Sequence, residues 1–222
     1  VDVGAGSDRV QGAGWSDVDR VDGYLRRIGG LAPRLAGEAV LQSVLADEPR
    51  SVLDLGCGDG RLAALVLQAR PSVERALVVD SSPPMLDRAR SRFADDRRVI
   101  VRRWDLADPL TPLGTFDVIV SGFAIHHLED HRKRDLYAEV AGQLRPGGMF
   151  ANLEVVASAT PELHAEFLGL IGRERDDPED RLADAELQLQ WMRAAGMAQV
   201  ACLWRWRGFA LLAGRAGCNR PC

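Results

Sequence analysis

The stretch VLDLGCGDGR, residues 52–61, decides the fold. A short strand-like run, Val52 to Leu55, leads into Gly56, Gly58 and Gly60, and a helical pattern begins at Arg61. A buried strand that turns sharply through glycines into a helix opens an α/β unit whose turn holds a ligand. Two kinds of cofactor use such turns. The dinucleotide fingerprint G-x-G-x-x-G needs a third glycine where this chain has Arg61. The spacing found is G-x-G-x-G, preceded by the acid Asp54. A carboxylate at the strand end repels a pyrophosphate and attracts a cationic amino acid moiety. The turn therefore points away from phosphate.

Outward from the turn, strands alternate with helices. VLDL, ALVVD (76–80), VIVRRW (99–104), FDVIVSG (116–122) and MFANLEVV (149–156) are short, rich in Val, Ile and Leu, and bounded by turn residues, which predicts strands. Helices are expected over residues 61–69, over 84–94 behind a Ser82 cap and a first-turn Pro83, and over 131–144, where RPGG is a stop signal. Such alternation builds a parallel sheet with helices on both faces. After residue 156 the rhythm changes. A short amphipathic helix is expected with Leu163, Phe167, Leu170 and Ile171 on one face, followed by the polar run RERDDPEDR. A helix over 185–195 ends at Gly196, and the runs AQVACLWRW and GFALLAG lie too close together to pair other than antiparallel. The early VDVGAG imitates the glycine turn but has no strand before it.

Composition narrows the class. At 222 residues, 46% hydrophobic and 27% charged, the chain suits one globular domain with a full core. No window approaches a membrane span, and residues 1–25 lack the apolar centre of a signal peptide. Cys57, Cys202, Cys218 and Cys222 form no secreted disulfide pattern, so a reducing cytoplasm is the expected location. A net charge of −4 gives no general attraction to nucleic acid. The arginines between Arg88 and Arg103 are interleaved with Asp87, Asp95 and Asp96, as on a solvated, partly paired face.

VLDLGCGDGR resembles the first motif of the class I S-adenosylmethionine-dependent methyltransferases, small-molecule branch. Asp80 with the SSPPML that follows it (81–86) is similar to the second motif and RWDLAD (103–108) to the third; FDVIVSGFAIHHLED and LRPGGMF resemble the family's fourth and fifth strands. The resemblance covers roughly residues 30–156, and the closing hairpin by pattern. It implies a Rossmann-like, doubly wound, seven-stranded α/β sheet of order 3-2-1-4-5-7-6 with strand 7 antiparallel. One domain is expected: an N-terminal helical cap (1–48), a cofactor-binding core (49–156), an insertion beside the acceptor (157–183), a last helix and hairpin (184–215), and a tail (216–222).

The resemblance implies S-adenosylmethionine as cofactor, with Asp54, Gly56, Cys57, Gly58, Asp59, Gly60, Asp80, Ser81, Met85, Asp105, Leu106 and Ser121 around it. Asp80 would accept hydrogen bonds from the ribose hydroxyls, and Asp105 from the adenine amino group, with the Leu106 amide facing the ring. Asp54 and Asp59 would meet the ammonium. Bland roles stand beside these: Asp54 can order the turn, Asp59 can cap a helix, and Met85 can be ordinary core. The glycines would leave room for the chain against the methionine part.

The sulfonium is already activated, so the protein must chiefly position the acceptor and remove its proton where needed. His126 and His127, just past the fourth strand, lie where sheet ends line the ligand crevice and are candidate bases. The competing role is shaping the loop, and a carboxylate acceptor needs no base. No metal is expected, because adjacent His126 and His127 rarely bind one ion together and His131 starts a helix. SGFA stands where an adenine-N6 enzyme carries an NPPY-like tetrapeptide, and no cysteine is placed for cytosine methylation. The expected function is methyl transfer to O, N or carboxylate of a small molecule. The rival readings are a non-catalytic S-adenosylmethionine-binding protein and an RNA or protein methyltransferase. Tyr24 and the helix near 32–46 are expected to fold over the cofactor, His164 and Phe167 to face the acceptor, and Trp191, Trp204 and Trp206 to lie in the core.

Overall fold

A computed structural model of the chain describes residues 13–110 and 113–217. Cys218, Cys222 and VDVGAG lie outside the described residues. The strands are β1 (Ser51–Leu55), β2 (Arg75–Asp80), β3 (Val99–Arg103), β4 (Phe116–Gly122), β5 (Leu144–Val155), β6 (Ala198–Trp206) and β7 (Phe209–Arg215). They form one sheet of order β3-β2-β1-β4-β5-β7-β6, with β7 antiparallel to β5 and β6 and the other pairs parallel. This is the order expected from the resemblance.

Alternation along the strands feeds two apolar layers. Val52, Val78, Val118 and Val120 pack with Leu62 and Val66 of α3 (Arg61–Ala69), Leu86 of α4 (Pro83–Arg92) and Leu41 of α2 (Ala32–Val44). Leu53, Leu55, Val79 and Ile119 face the other way, onto Leu136 and Val140 of α5 (Asp130–Gln143) and Met192 of α7 (Ala185–Ala194). Each fully buried Leu or Ile contributes roughly 2 kcal/mol, and a sheet buried on both faces needs the near-continuous apolar runs seen in the sequence. α1 (Val18–Ile28) lies ahead of α2, and α6 (Pro161–Leu170) follows β5. Among the described residues no helix is long and apolar enough to cross a membrane.

Two local expectations change. RPGG does not separate helix from strand: α5 ends at Gln143, Leu144 already pairs with Phe116, and the register then shifts before Met149 pairs with Val118. Gly147 makes that shift possible at φ +79°, and a side chain on Gly148 would stand 3.0 Å from the Asp117 carbonyl oxygen. On α6, Leu163 and Leu170 are 45% and 52% exposed, whereas Phe167, Leu168 and Ile171 are buried with Phe209. The helix docks by a narrower face, because its C-terminal half packs on Phe209 at the start of β7. Trp191 is buried as expected; Trp204 and Trp206 are only partly so.

Candidate active site

The carboxyl ends of β1, β2 and β4 open into one cavity of about 510 Å³, roofed by the N-terminal segment through Trp15, Tyr24, Arg34 and Glu38. This is where an open α/β sheet binds ligands. Gly56, Cys57, Gly58, Asp59, Asp54, Asp80, Ser81, Met85, Asp105 and Leu106 line it, which gathers most of the expected cofactor set.

The glycine turn is held by the acids around it. Both Gly56 (φ +66°) and Gly60 (φ +79°) adopt left-handed backbone. A Cβ on Gly56 would sit 2.3 Å from the Ala124 Cβ, and one on Gly60 2.4 Å from the Phe93 ring. These two glycines therefore admit neighbouring protein, and Gly56 also lines the cavity. Gly60 does not line the cavity. Asp80 Oδ2 accepts from the Gly58 amide and Oδ1 from the Ser82 amide, both at 2.8 Å. Asp80 also lines the cavity, and a carboxylate oxygen has more than one lone pair to offer a diol. Burial raises the Asp80 carboxyl above its ordinary value, against the lowering effect of these amides.

Asp54 is the more telling acid. It is 0% exposed; Oδ2 accepts from the Ala63 amide at 3.0 Å, and Oδ1 has no partner. Burial first, then the charges of Asp80 and Asp59, push its pKa up to about 7. A buried carboxylate oxygen without a donor is costly unless a ligand supplies one. An ammonium fits it. Asp59, by contrast, accepts from the Arg61 amide at 3.2 Å and pairs with Arg92 at 2.5 Å, while the N-cap of α3 is Gly60. Asp105 accepts from the Ala107 amide at 2.9 Å, and the Leu106 carbonyl from Arg132 at 2.8 Å. Met85 is buried and lines the wall, so its core and cofactor roles coincide. Ser121 is not brought to the cavity: its hydroxyl donates to the Leu55 carbonyl at 2.8 Å and joins β4 to β1.

The roof is only partly legible in the sequence. Tyr24 is where it was expected. Trp15, Arg34 and Glu38 carry no sequence signal, and Arg61 stands out only as a missing glycine. Glu38 sits between Arg34 at 2.8 Å and Arg61 at 2.7 Å. Burial opposes its ionisation, but hydrogen bonds from the two guanidinium groups outweigh it and lower its pKa. The Ser82 hydroxyl donates to the Trp15 carbonyl at 2.5 Å, latching the roof to the second motif.

The two histidines differ. His127 lines the cavity, with its ring 5.7 Å from Trp15. His126 is buried behind it; its Nδ1 lies 2.5 Å from Glu154 Oε1, and its amide donates to Glu154 Oε2. Burial works to lower the His126 pKa, but Glu154 and Asp180 raise it to about 9. Burial and the neighbouring His126 charge lower His127. His126 is engaged by acids on both sides, whereas His127 lines the cavity with its Nδ1 unpartnered. His164, expected near the acceptor, instead bonds Asp176 at 2.8 Å and does not line it, and His131 is exposed. Sequence reasoning misses Glu154 and Asp180. Glu154 leaves a trace, a charge inside an apolar strand; Asp180 looks like one more polar residue in RERDDPEDR.

This order of strands, with the glycine turn, the acid at the end of β2 and the acid after β3 on one crevice, is the fold expected from the resemblance to class I S-adenosylmethionine-dependent methyltransferases. Residues 52–148 match the family described as "Methyltransferase domain". An uncharacterized methyltransferase of Mycobacterium tuberculosis is 39% identical over 129 residues, 57% of this chain and 59% of that protein. A trans-aconitate 2-methyltransferase of Mycolicibacterium gilvum is 41% identical over 113 residues, 50% of this chain and 40% of that protein. The chain spans less than two thirds of the length of both relatives. An O-methyltransferase family protein from Burkholderia thailandensis shares the fold at a TM-score of 0.70 and 22% identity, over 91% of this chain and 60% of that one.

Proposed function

We propose that the chain methylates a carboxylate oxygen of a small organic acid, using S-adenosylmethionine as donor. The cofactor would supply a methyl group on a sulfonium, an electrophile needing no further activation. Asp54 Oδ1 would take its ammonium, Asp80 its ribose hydroxyls and Asp105 its adenine amino group, with the Trp15 and Tyr24 roof excluding water.

The observation that carries the choice of acceptor is Arg34. It lines the main cavity and also a smaller chamber of about 60 Å³ beside it, whose walls include Phe123, Phe167, Phe209, Ile171 and Arg27. Arg34 stacks over Phe123 at 5.2 Å, with Nε on Glu38. Its remaining donors can hold an acid while the aromatic walls take an apolar portion. Phe167 supports the expectation that residues 157–183 form an acceptor wall. A carboxylate is already ionised and needs no base. A relative named for trans-aconitate agrees with an acidic acceptor.

The test is to incubate the protein with S-adenosylmethionine and a panel of aliphatic and aromatic acids, their amides and matching alcohols, and to measure S-adenosylhomocysteine and methyl ester. Ester formation on acids alone is expected. Turnover on amines or hydroxyls instead overturns the carboxylate reading. Cofactor binding without turnover favours a non-catalytic binding protein, and methylated RNA or polypeptide a macromolecular acceptor.

A further inference from the structure

Behind the cavity wall, three side chains from two distant segments converge on one point. His126 and His127 stand on a short 3₁₀ helix, Ile125–His127, after β4, and Asp180 comes from the segment between α6 and α7. The Arg181 amide donating to the His126 carbonyl at 2.8 Å locks the segment there. Among the described residues this is the one group of His, Cys, Asp and Glu whose ligand atoms all lie within 4.8 Å of one another.

The lone pairs are the reason to look further. Glu154 takes the Nδ1 side of His126, which leaves Nε2 facing Asp180 Oδ1 at 3.4 Å; a metal that displaces the proton there meets a lone pair. His127 Nδ1 lies 3.5 Å from the same oxygen. Asp180 is 5% exposed in its side chain, yet its Oδ1 has no hydrogen-bond partner, and neither does His127 Nδ1. Arg173 faces the other oxygen, Asp180 Oδ2, at 3.5 Å, and a proton on His126 serves Oδ1, but neither serves His127 Nδ1. A metal ion serves all three.

The spacing suits one. Zinc bonds to nitrogen and oxygen at about 2.0–2.1 Å in tetrahedral sites, which sets neighbouring ligand atoms about 3.3 Å apart. The two measured separations from Asp180 Oδ1 match that edge. Glu154 completes the pattern as the carboxylate that fixes a ligating imidazole in place. Two nitrogens and one oxygen suit zinc or cobalt better than magnesium or calcium, which take mostly oxygen. His127, Glu179 and Arg181 also line the main cavity, so a fourth position would face it. We propose that His126, His127 and Asp180 bind a divalent transition-metal ion of the zinc type beside the acceptor cavity, with Glu154 as positioning residue.

The proposal stands apart from the choice of acceptor, and its test reads no methylation. The full chain is dialysed against chelator and titrated with Zn²⁺ by calorimetry and with Co²⁺ by visible absorption. One ion per chain is expected, with tetrahedral Co²⁺ bands. Asp180→Asn, which keeps the shape, should weaken binding about a hundredfold, and Glu154→Gln about tenfold. His131→Ala, altering an exposed histidine, should change nothing. Circular dichroism and S-adenosylmethionine titration establish that each variant is folded. The absence of saturable binding by the folded parent overturns the proposal, and so does binding that Asp180→Asn leaves intact.

Discussion

The two halves of the crevice are built differently. On the side of β1, β2 and β3, the acids lining the crevice hold backbone amides of the motif segments: Asp80 those of Ser82 and, from the neighbouring strand's turn, Gly58, and Asp105 that of Ala107. On the side of β4 and β5, the polar groups meet across long stretches of chain, with Glu154 reaching His126 and Asp180 reaching both histidines. The first half is assembled by acids holding backbone amides within the motif segments. The second depends on a segment, residues 157–183, that arrives from elsewhere. The difference teaches that contacts to backbone follow from the motifs, whereas pairs of side chains depend on which segments the packing brings together.

The largest expected effect tests the first half. Asp80→Ala removes two amide partners and the diol acceptor together, and should weaken S-adenosylmethionine binding by about a hundredfold or more in calorimetry. A change within threefold would break the view that this half is organised around that acid. Asp54 sharpens it. Its pKa of about 7 in the free protein means that a cationic ligand favours the ionised form and releases a proton. Affinity should therefore rise with pH, about tenfold between pH 5.5 and 7, and Asp54→Asn should flatten that slope.

Arg34→Met addresses the other half. The KM for the acid acceptor should rise about tenfold while cofactor affinity changes far less. Equal losses in both would mean that the halves are not separable at the roof. Smallest is Ser121→Ala. Because its hydroxyl is spent on the Leu55 carbonyl, cofactor affinity should stay within about twofold while stability falls by about 1 kcal/mol, read as a lower denaturant midpoint. A large loss of affinity would restore Ser121 to the cofactor site.

Much of the molecule is legible in its sequence where the physics is local. The period of the apolar residues places β1, β2 and β4, Ser82 caps α4 through the Met85 amide, and the spacing G-x-G-x-G with Asp54 announces a turn suited to a cation. The apolar face of α6 is narrower than its pattern because helical spacing gives a stripe but not how much of it finds a partner; Leu163 and Leu170 point past the edge of the sheet. Ser121 and Gly60 depart from expectation for a related reason. A motif says which residues are near the ligand, but not which hydroxyl or Cα turns toward protein instead.

The amino-acid sequence by itself determined the order of strands and helices, the glycine turn and the acids that follow β1, β2 and β3, because backbone preference, burial period and capping act over a few residues. Only the tertiary structure decided that Glu38 is shared by Arg34 and Arg61, that Glu154 and Asp180 close on the two histidines, and that Asp54 keeps one oxygen unpartnered. Those facts depend on segments far apart in the chain being pressed together by the burial of two apolar layers, and no short-range pattern encodes which polar groups will then meet.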